Sequence, residues 1–333
     1  MIKSVDIRWV SWVLLLALIA CDSSQKPSAT RKENKSRKVV SVPVFSGDSA
    51  YAHVATQVAF GPRVPGTEAH ARCAQWLAGK LGEVADTLIL QRFKARTYDN
   101  VTRNGINMIA SFQPEKKSRI LLMAHWDSRP FSDHDPDESK LMQPIDGAND
   151  GASGVSVLLE MARHFKSQPP EVGVDIILFD LEDWGPPANT EAYNESYWGL
   201  GAQHWSKSPH IPGYRASYGI LLDMVGAKDP EFRKEYFSRQ YARYIIDLVW
   251  NTASDLGYGA YFLDEEGIAT TDDHYFVNKY AGIPSIDIIH LENDRSNSSF
   301  FPYWHTSGDN LDKISPLSLR IVGEVVMHVV YFE

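Results

Sequence analysis

The chain has 333 residues, of which 44% are hydrophobic and 11% aromatic, a composition typical of a globular protein with a sizeable core. The formal net charge is −9 and the pI is near 5.7, and no run of Lys and Arg is interleaved with aromatic residues. An acidic chain without such a basic surface argues against nucleic acid as a partner. The length admits one large α/β domain or two domains of ordinary size.

The first twenty residues have the pattern of a secretory signal peptide. Two basic residues precede an apolar run over residues 9–20, which is short for a membrane span and of the usual length for a signal-peptide core. The run ends in Leu-Ile-Ala-Cys at residues 18–21, which resembles a bacterial lipobox. We therefore expect a lipoprotein signal peptide over residues 1–20, a lipidated Cys21, and a lipid-anchored protein in the bacterial cell envelope, periplasmic or surface-exposed. An ordinary signal followed by an incidental cysteine is the alternative.

A polar segment follows the signal. Residues 22 to about 40 consist almost entirely of Ser, Lys, Arg, Asn and other polar residues. Such a segment cannot bury enough apolar surface to offset its ordering entropy, so we predict a flexible tether over residues 21–45. The only other cysteine is Cys73, which would be left unpaired, and its apolar helical surroundings predict a small buried residue.

Helices and strands alternate in the rest of the chain. Helical spacing of apolar residues predicts helices over residues 49–60, 69–81, from about 153, 239–256 and 315–331. Short apolar runs predict strands over residues 87–93, 107–112, 120–124, 174–179, 219–223, 261–263 and 285–290. No internal repeat and no Pro- or Gly-rich linker divides them. This order predicts a single α/β domain with a mixed, largely parallel central sheet flanked by helices.

Acidic residues and histidines follow the buried strands. His125 and Asp127 come directly after one strand, Glu182 and Asp183 come after another, and Asp150 precedes a helix. Because ligands bind outside the carboxyl ends of parallel strands, we expect these side chains to converge on one rim. A single such aspartate is more often a helix cap or a solvated turn. Several buried carboxylates together, however, are costly unless a cation or protons compensate, and nitrogen and oxygen ligands beside a free carboxylate favour a zinc site.

Two further stretches supply residues of the same types. Asp223 ends a predicted strand, and Asp272, Asp273 and His274 precede a helix. His305 follows the aromatic run Phe-Phe-Pro-Tyr-Trp in a loop. A Trp-His pair in an aromatic loop is also compatible with ordinary packing.

Taken in chain order, these motifs resemble those of the zinc-dependent exopeptidases of the M28 aminopeptidase type, and more closely the glutaminyl cyclase branch, the glutaminyl-peptide cyclotransferases. The finer match rests on Leu-Leu-Asp-Met-Val-Gly-Ala-Lys-Asp-Pro-Glu-Phe at 221–232, Asp-Asp-His at 272–274 and Phe-Pro-Tyr-Trp-His-Thr at 301–306. The similarity runs from about residue 46 to the last residue. The resemblance implies a zinc exopeptidase-like fold and a zinc-dependent catalytic domain over residues 46–333.

The resemblance also implies the metal ligands and the catalytic acids. By position, a single zinc per chain would be held by Asp150, Asp183 and His305. Glu182 matches the acid that transfers protons, and Asp223 and Asp272 match carboxylates hydrogen-bonded around it. Successive side chains at a strand end point in opposite directions, so only one of Glu182 and Asp183 should face the metal. The resemblance implies that Asp183 is that residue and that Glu182 faces the substrate.

The substrate pocket is implied in the same way. Trp304 and His290 match residues beside the substrate amide, and the divergent loop after residue 185 offers Tyr193 or Trp198 as a further aromatic residue. The animal cyclases have Glu where this chain has Asp183, and their disulfide near the site has no counterpart here. The shorter side chain would shift the metal slightly, as in the bacterial form of the family.

The implied reaction converts the N-terminal Gln of peptides or proteins to pyroglutamate and releases ammonia. Such a substrate already carries its nucleophile, the α-amine, and its electrophile, the γ-amide, so the enzyme mainly orients them and stabilises the oxyanion. Zinc would be the Lewis acid and Glu182 the proton shuttle. We expect like charge to raise the pKa of a carboxyl group among Asp223, Asp272 and Asp183, with zinc opposing this shift in part.

Two other classes of function remain open. In an M28-type two-zinc aminopeptidase, which hydrolyses N-terminal residues, His125 and Asp223 would complete a second metal site and share Asp150. The aromatic Trp-His-Thr loop and the paired aspartates favour the cyclase, and a second metal would sequester the nucleophilic amine. A non-catalytic binding lipoprotein would require loss of the acid or of a ligand, and Glu182 is intact.

Overall fold

The computed structural model describes residues 40–188, 190, 194–292 and 300–333. The predicted signal peptide, Cys21, most of the predicted tether and Tyr193 lie outside the described residues. Within the described ranges, no helix combines the length and the apolar character that crossing a lipid bilayer requires. Residues 40–333 form one compact unit.

The described residues contain eight strands and seven α-helices. The strands are β1 (Thr87–Arg96), β2 (Thr102–Phe112), β3 (Arg119–His125), β4 (Gly173–Phe179), β5 (Tyr218–Asp223), β6 (Phe232–Lys234), β7 (Phe262–Glu266) and β8 (Ser285–Ile289). The helices are α1 (Gly47–Ala59), α2 (Glu68–Val84), α3 (Ala152–Ser167), α4 (Leu200–Lys207), α5 (Tyr236–Asp255), α6 (Asp273–Phe276) and α7 (Pro316–Tyr331).

Six of these strands form the central sheet, in the order β1-β2-β4-β3-β5-β8. Strands β4, β3, β5 and β8 are parallel, whereas β2 pairs antiparallel with both β1 and β4. Strands β6 and β7 form a separate parallel pair. The predicted α/β fold with a mixed, largely parallel sheet is therefore confirmed.

The parallel strands are buried along their whole length because helices cover both faces of the sheet. Every residue of β3, β4, β5 and β8 is buried. Side chains alternate between the two faces, as strand geometry requires. On β3, Leu122 packs in the larger core with α1, α2, α3, α5 and α7, while Leu121 and Met123 pack in a smaller core with α4 and α6.

The predicted helices and strands form, with ends that differ by a few residues. Thr67 caps α2 by accepting the backbone N–H of His70 at 3.2 Å, and Ser315 caps α7, which has Pro316 in its first turn. Strands β1 and β2 extend beyond the apolar runs because their outer residues form an exposed hairpin. Helix α4 and strand β6 were not predicted; they have only eight and three residues.

Two glycines allow the start of α3 to approach the carboxyl ends of β3 and β5. A Cβ atom on Gly151 would collide with the His125 ring, and one on Gly154 would collide with the backbone carbonyl of Leu222. This close approach places Asp150 at the rim of the sheet.

Candidate active site

One small pocket at the carboxyl edge of the sheet collects most of the predicted site residues. It is lined by Asp150, Glu182, Asp183, Trp198, Asp223, Asp272, Trp304 and His305. These side chains come from the loops after β3, β4 and β5, from the start of α6 and from the loop before α7. His125 is buried beside the pocket, with only 1% of its surface exposed. The predicted convergence on one rim is therefore present in the fold.

Three of these residues form a group that we call the ligand trio: Asp150, Asp183 and His305. One ligand atom from each lies within 4.8 Å of the others, and all three residues are buried. His305 Nε2 is 3.3 Å from Asp183 Oδ1 and 3.7 Å from Asp150 Oδ2. Asp183 Oδ2 is buried without a hydrogen-bond partner among the described residues. A buried set of one imidazole and two carboxylates with a free oxygen fits a zinc ion.

A second possible ligand group lies on the other side of Asp150. His125 Nε2 is 3.1 Å from Asp150 Oδ1 and 3.2 Å from Asp223 Oδ1. Burial alone would lower the pKa of His125, but hydrogen bonds with Asp127, Asp150 and Asp223 raise it well above its ordinary value. Burial would likewise raise the pKa of Asp150, and the hydrogen bond and charge of His125 lower it instead. A protonated His125 can thus balance the negative charges of Asp150 and Asp223, as a second metal ion would.

Glu182 is set apart from both ligand groups and lies against other acids. Burial, together with the negative charges of Asp272, Asp183 and Asp273, raises the pKa of Glu182 well above its ordinary value, while the charge of His125 opposes the shift. Burial and neighbouring acids also raise the pKa of Asp223 to about 7. The expected increase is present, with burial as a larger cause than like charge. A carboxyl group that holds a proton near neutral pH is suited to proton transfer.

The loop that carries Glu182 and Asp183 is held through its backbone. Asp127 accepts the N–H groups of Glu182 at 3.1 Å and of Asp183 at 3.3 Å. Leu181 just before them has a φ of 58°, a left-handed conformation that non-glycine residues rarely adopt. Asp127 therefore belongs to the rim by supporting this loop, and it is in neither ligand group.

Three residues at the pocket have a left-handed backbone conformation. In the described part of the chain six non-glycine residues have positive φ; Leu181 adjoins the pocket, and Met224 and His305 line it. Such residues cost free energy and persist where the surrounding structure requires them, often at functional sites.

Aromatic rings form the walls next to the ligand trio. The Trp304 ring stacks on the His305 ring, with centroids 3.8 Å apart and an interplanar angle of 24°. Trp198 lies nearly parallel to His305 at 6.3 Å. A Cβ atom on Gly185 would collide with the Trp198 ring, so glycine at this position allows the tryptophan to pack. Among the described aromatic residues of the 186–200 loop, Trp198 is the one that lines this pocket.

His290 lies outside this pocket. It is buried, and its side chain lines a neighbouring cavity with Phe301 and Tyr303. Its Nε2 atom is 3.3 Å from the carboxylate of Glu292. The structure does not bring His290 into the pocket with the other predicted residues.

Sequence reasoning named His274 but missed its two buried acidic neighbours, Asp287 and Glu235. Asp287 on β8 is fully buried, and burial together with the charges of Asp272 and Asp223 raises its pKa well above the ordinary value. His274 lies between two acids, with Nε2 3.1 Å from Glu235 Oε2 and Nδ1 3.8 Å from Asp287 Oδ2. The sequence did contain a signal for Asp287, because a charged residue is unexpected inside the apolar run of β8.

The central sheet and its rim define the class of protein: an α/β protein of the zinc exopeptidase type, with buried nitrogen and oxygen ligands where the strands end. The profile described as Peptidase family M28 matches residues 107–330. The chain belongs to peptidase family M28, and within it to the group that contains bacterial glutaminyl cyclases. Membership of this family implies zinc, which the ligand trio fits.

Individual relatives support this assignment. A Zn-dependent exopeptidase from Parabacteroides distasonis is 49% identical, with a TM-score of 0.86 over 88% of this chain and 100% of that one. A glutaminyl cyclase from Bacteroides thetaiotaomicron, bound to N-acetylhistamine, is 48% identical, with a TM-score of 0.85 over 88% and 100% of the two chains. A glutaminyl-peptide cyclotransferase from Gloydius blomhoffii is 27% identical over 67% of this chain. The chain spans 46% and 64% of the lengths of the first curated relatives it matches.

Proposed function

We propose that the protein is a glutaminyl-peptide cyclotransferase, which converts the N-terminal Gln of peptides or proteins to pyroglutamate and releases ammonia. The main support for this proposal is the set of residues that line the pocket. The ligand trio shares the pocket with a separate buried acid, Glu182, and with the rings of Trp198 and Trp304. Such a pocket suits a reaction that needs one electrophilic metal, one proton carrier and a fixed substrate conformation. The similarity to relatives such as the glutaminyl cyclase of Bacteroides thetaiotaomicron adds support.

In this proposal the ligand trio holds one zinc ion per chain. The bound ion supplies Lewis-acid polarisation of the γ-carbonyl of the substrate Gln. The free Oδ2 atom of Asp183 and the short distances within the trio support the assignment.

Glu182 carries the proton. Its carboxylate takes a proton from the α-amine while the amine nitrogen bonds to the γ-amide carbon. The protonated acid then gives the proton to the amide nitrogen, whose bond to carbon breaks as ammonia leaves. The raised pKa of Glu182 suits both steps; the negative charge of Asp272 contributes to the shift, and Asp223 lines the same pocket.

The aromatic walls orient the substrate. The rings of Trp304 and Trp198 lie next to the His305 ring and can hold the Gln side chain between the metal and Glu182. Orientation is the main requirement because the nucleophile and the electrophile are already in one molecule. Neither step needs an activated water.

The two-zinc aminopeptidase is the second candidate, and one observation favours it. His125, Asp150 and Asp223 come within 4.8 Å of one another, close enough to form a second metal site. The cyclase remains the better proposal because a proton on His125 can satisfy the same two carboxylates.

A paired assay separates these functions. The purified protein is given a Gln-initiated peptide and a Leu-arylamide in parallel, and ammonia release and arylamine release are recorded. The cyclase predicts ammonia from the Gln peptide and little arylamine. Rapid arylamide hydrolysis, with two zinc ions per chain at full activity, would establish the aminopeptidase instead.

We also propose that the protein is anchored to the bacterial cell envelope through a lipidated Cys21. The support is the lipobox-like tetrapeptide at 18–21 and the polar segment after it. Mass spectrometry of the mature N-terminus should find a diacylglyceryl-modified Cys21, and Cys21→Ala should give an uncleaved or mislocalised form. An unmodified N-terminus at another residue would contradict the proposal.

A further inference from the structure

Arg129 is a buried cation beside the ligand trio, and its role does not follow from the proposed chemistry. Only 1% of its surface is exposed. It lies in the loop after β3, which also carries Asp133, and Arg129 donates Nε–H and Nη2–H to the two carboxylate oxygens of Asp133 at 2.7 and 2.6 Å. This forked geometry is specific to a guanidinium group and fixes both side chains relative to each other.

The remaining donors of Arg129 reach the loop that carries Asp183. Nη1 donates to Asp183 Oδ1 at 3.1 Å, and the carbonyl oxygens of Asp183, Gly185 and Pro186 lie between 3.2 and 3.4 Å from the guanidinium nitrogens. These contacts use one carboxylate oxygen of Asp183 and leave the other, Oδ2, without a partner among the described residues.

Asp133 extends the network to the second ligand. Its Oδ1 atom is 3.3 Å from Nδ1 of His305, while Nε2 of the same ring faces Asp183 and Asp150. A carboxylate on the far nitrogen of a metal-binding histidine selects the tautomer and the ring orientation. The Oδ1 atom of Asp133 thus contacts both Arg129 and His305.

We propose that Arg129 and Asp133 are positioning residues for the metal site, which hold Asp183 and His305 in their metal-binding orientations. The inference rests on the ligand trio of the proposed function. Asp183 and His305 come from loops that are distant in sequence, and the Arg129–Asp133 pair connects them. Arg129 also places a positive charge 3.1 Å from the Asp183 carboxylate.

The test measures metal affinity in the full chain, without peptide. Zinc is titrated against a chromogenic chelator for the wild type, Arg129→Gln, Arg129→Lys and Asp133→Asn. Loss of such a supporting group typically weakens metal binding by about 10- to 100-fold, which we expect for Arg129→Gln and Asp133→Asn. Arg129→Lys keeps the positive charge but cannot donate the two parallel hydrogen bonds to Asp133, so its zinc affinity should fall less than that of Arg129→Gln.

Cobalt substitution gives a second readout. The visible absorption of bound Co²⁺ reports the arrangement of its ligands, so Asp133→Asn should shift these bands if Asp133 orients His305. The matched control is Arg119→Gln, which removes another buried arginine with a forked aspartate contact, to Asp175 at the opposite end of β3 and β4. We expect the control to lower the melting temperature and to leave zinc affinity and the cobalt spectrum unchanged.

The outcomes are distinct. If Arg129→Gln does not fold, Asp133→Asn and Arg129→Lys still decide, because both retain nearly the original volume. The proposal would be overturned if these variants had a lower melting temperature but a zinc affinity within twofold of the wild type. Arg129 and Asp133 would then have a purely structural role. A protein that passes this test but releases no ammonia from Gln peptides would refute the cyclase function and not the positioning role.

Discussion

Buried acids at the two ends of the central sheet differ in how their charge is compensated. At the amino end of the parallel strands, Asp175 on β4 accepts two hydrogen bonds from Arg119 at 2.7 Å, one from Ser111 at 2.5 Å and one from Tyr214 at 2.6 Å. At the carboxyl end, Glu182 lies among other acids, and burial raises its pKa well above the ordinary value. The sheet thus buries a fully hydrogen-bonded carboxylate at one end and, at the other, acids such as Glu182 whose environment disfavours the charged form.

This difference in charge compensation distinguishes acids with a structural role from acids that are candidates for a catalytic role. A buried carboxylate is costly unless hydrogen bonds and an opposite charge compensate it, and Asp175 has both. The rim acids have too few such partners within the protein, so a cation and bound protons must balance them. Acids left in this state are candidates for metal binding and proton transfer.

The largest expected effect is on the rate, from Glu182→Gln. The amide keeps the shape of the side chain but cannot carry the proton, so turnover of Gln peptides should fall by about 10² to 10⁴. Zinc content and melting temperature should stay near those of the wild type. The matched control is Glu160→Gln, a buried acid of α3 that pairs with Arg163. A variant that keeps most of its activity, or that loses its zinc, would show that the role given to Glu182 is wrong.

The next effect is on metal content and compares the two histidines at the rim. His305→Ala should lose most of the bound zinc, since it removes the only imidazole of the ligand trio. His125→Ala should retain zinc at least in part, because His125 contacts the trio only through Asp150. Asp183→Asn should also weaken binding by removing a charged ligand. Metal analysis after gel filtration measures this, and equal loss in both histidine variants would favour two coupled metal sites.

At the amino end, Asp175→Asn should affect stability alone. The substitution leaves Arg119 as a buried charge without its carboxylate, a change that typically costs about 3–5 kcal/mol of unfolding free energy. Zinc affinity and the rate per folded molecule should not change, because this pair lies at the far end of β3 and β4 from the pocket. Urea unfolding and zinc titration together check the prediction. A change in zinc affinity would mean that the two ends of the sheet are coupled.

The smallest effect is a pH dependence of the metal-free protein. The pKa of Asp223 is raised to about 7, so the folded state holds this proton more tightly than the unfolded chain does. That contribution to stability is complete below the unfolded value of about 4 and is lost as the pH rises through about 7. After chelation, the melting temperature should therefore fall by a few degrees between pH 6 and pH 8. Asp223→Asn should flatten this change, and an unchanged slope would assign it to another acid of the rim.

Local pattern predicted the helices and strands well, and failed where the pattern is short or irregular. The runs at residues 120–124 and 174–179 identify β3 and β4 because strands buried on both faces are mostly apolar, and Asp175 is the one acid within them. Helix α4 begins after Gly199 and is too short for a helical period to be recognised. The position of β2 between β1 and β4 depends on pairing between distant segments, which local periodicity does not encode.

The sequence by itself determined the types of residue available at the carboxyl ends of the strands, because strand ends and turn signals are local features. His125, Asp150, Glu182 and Asp223 could therefore be selected before any contact was known. Only the tertiary structure decided which of these side chains share a pocket and which lie beside it, as His290 does.

The tertiary structure alone also revealed the supporting residues. Arg129 and Asp133 lie in a polar loop whose composition is that of many surface loops, and Asp287 lies within an apolar strand. Their importance arises from contacts between loops that are far apart in the chain. Because burial and charge compensation depend on those contacts, the pKa values and the orientation of the ligands became apparent only once the loops were brought together at one edge of the sheet.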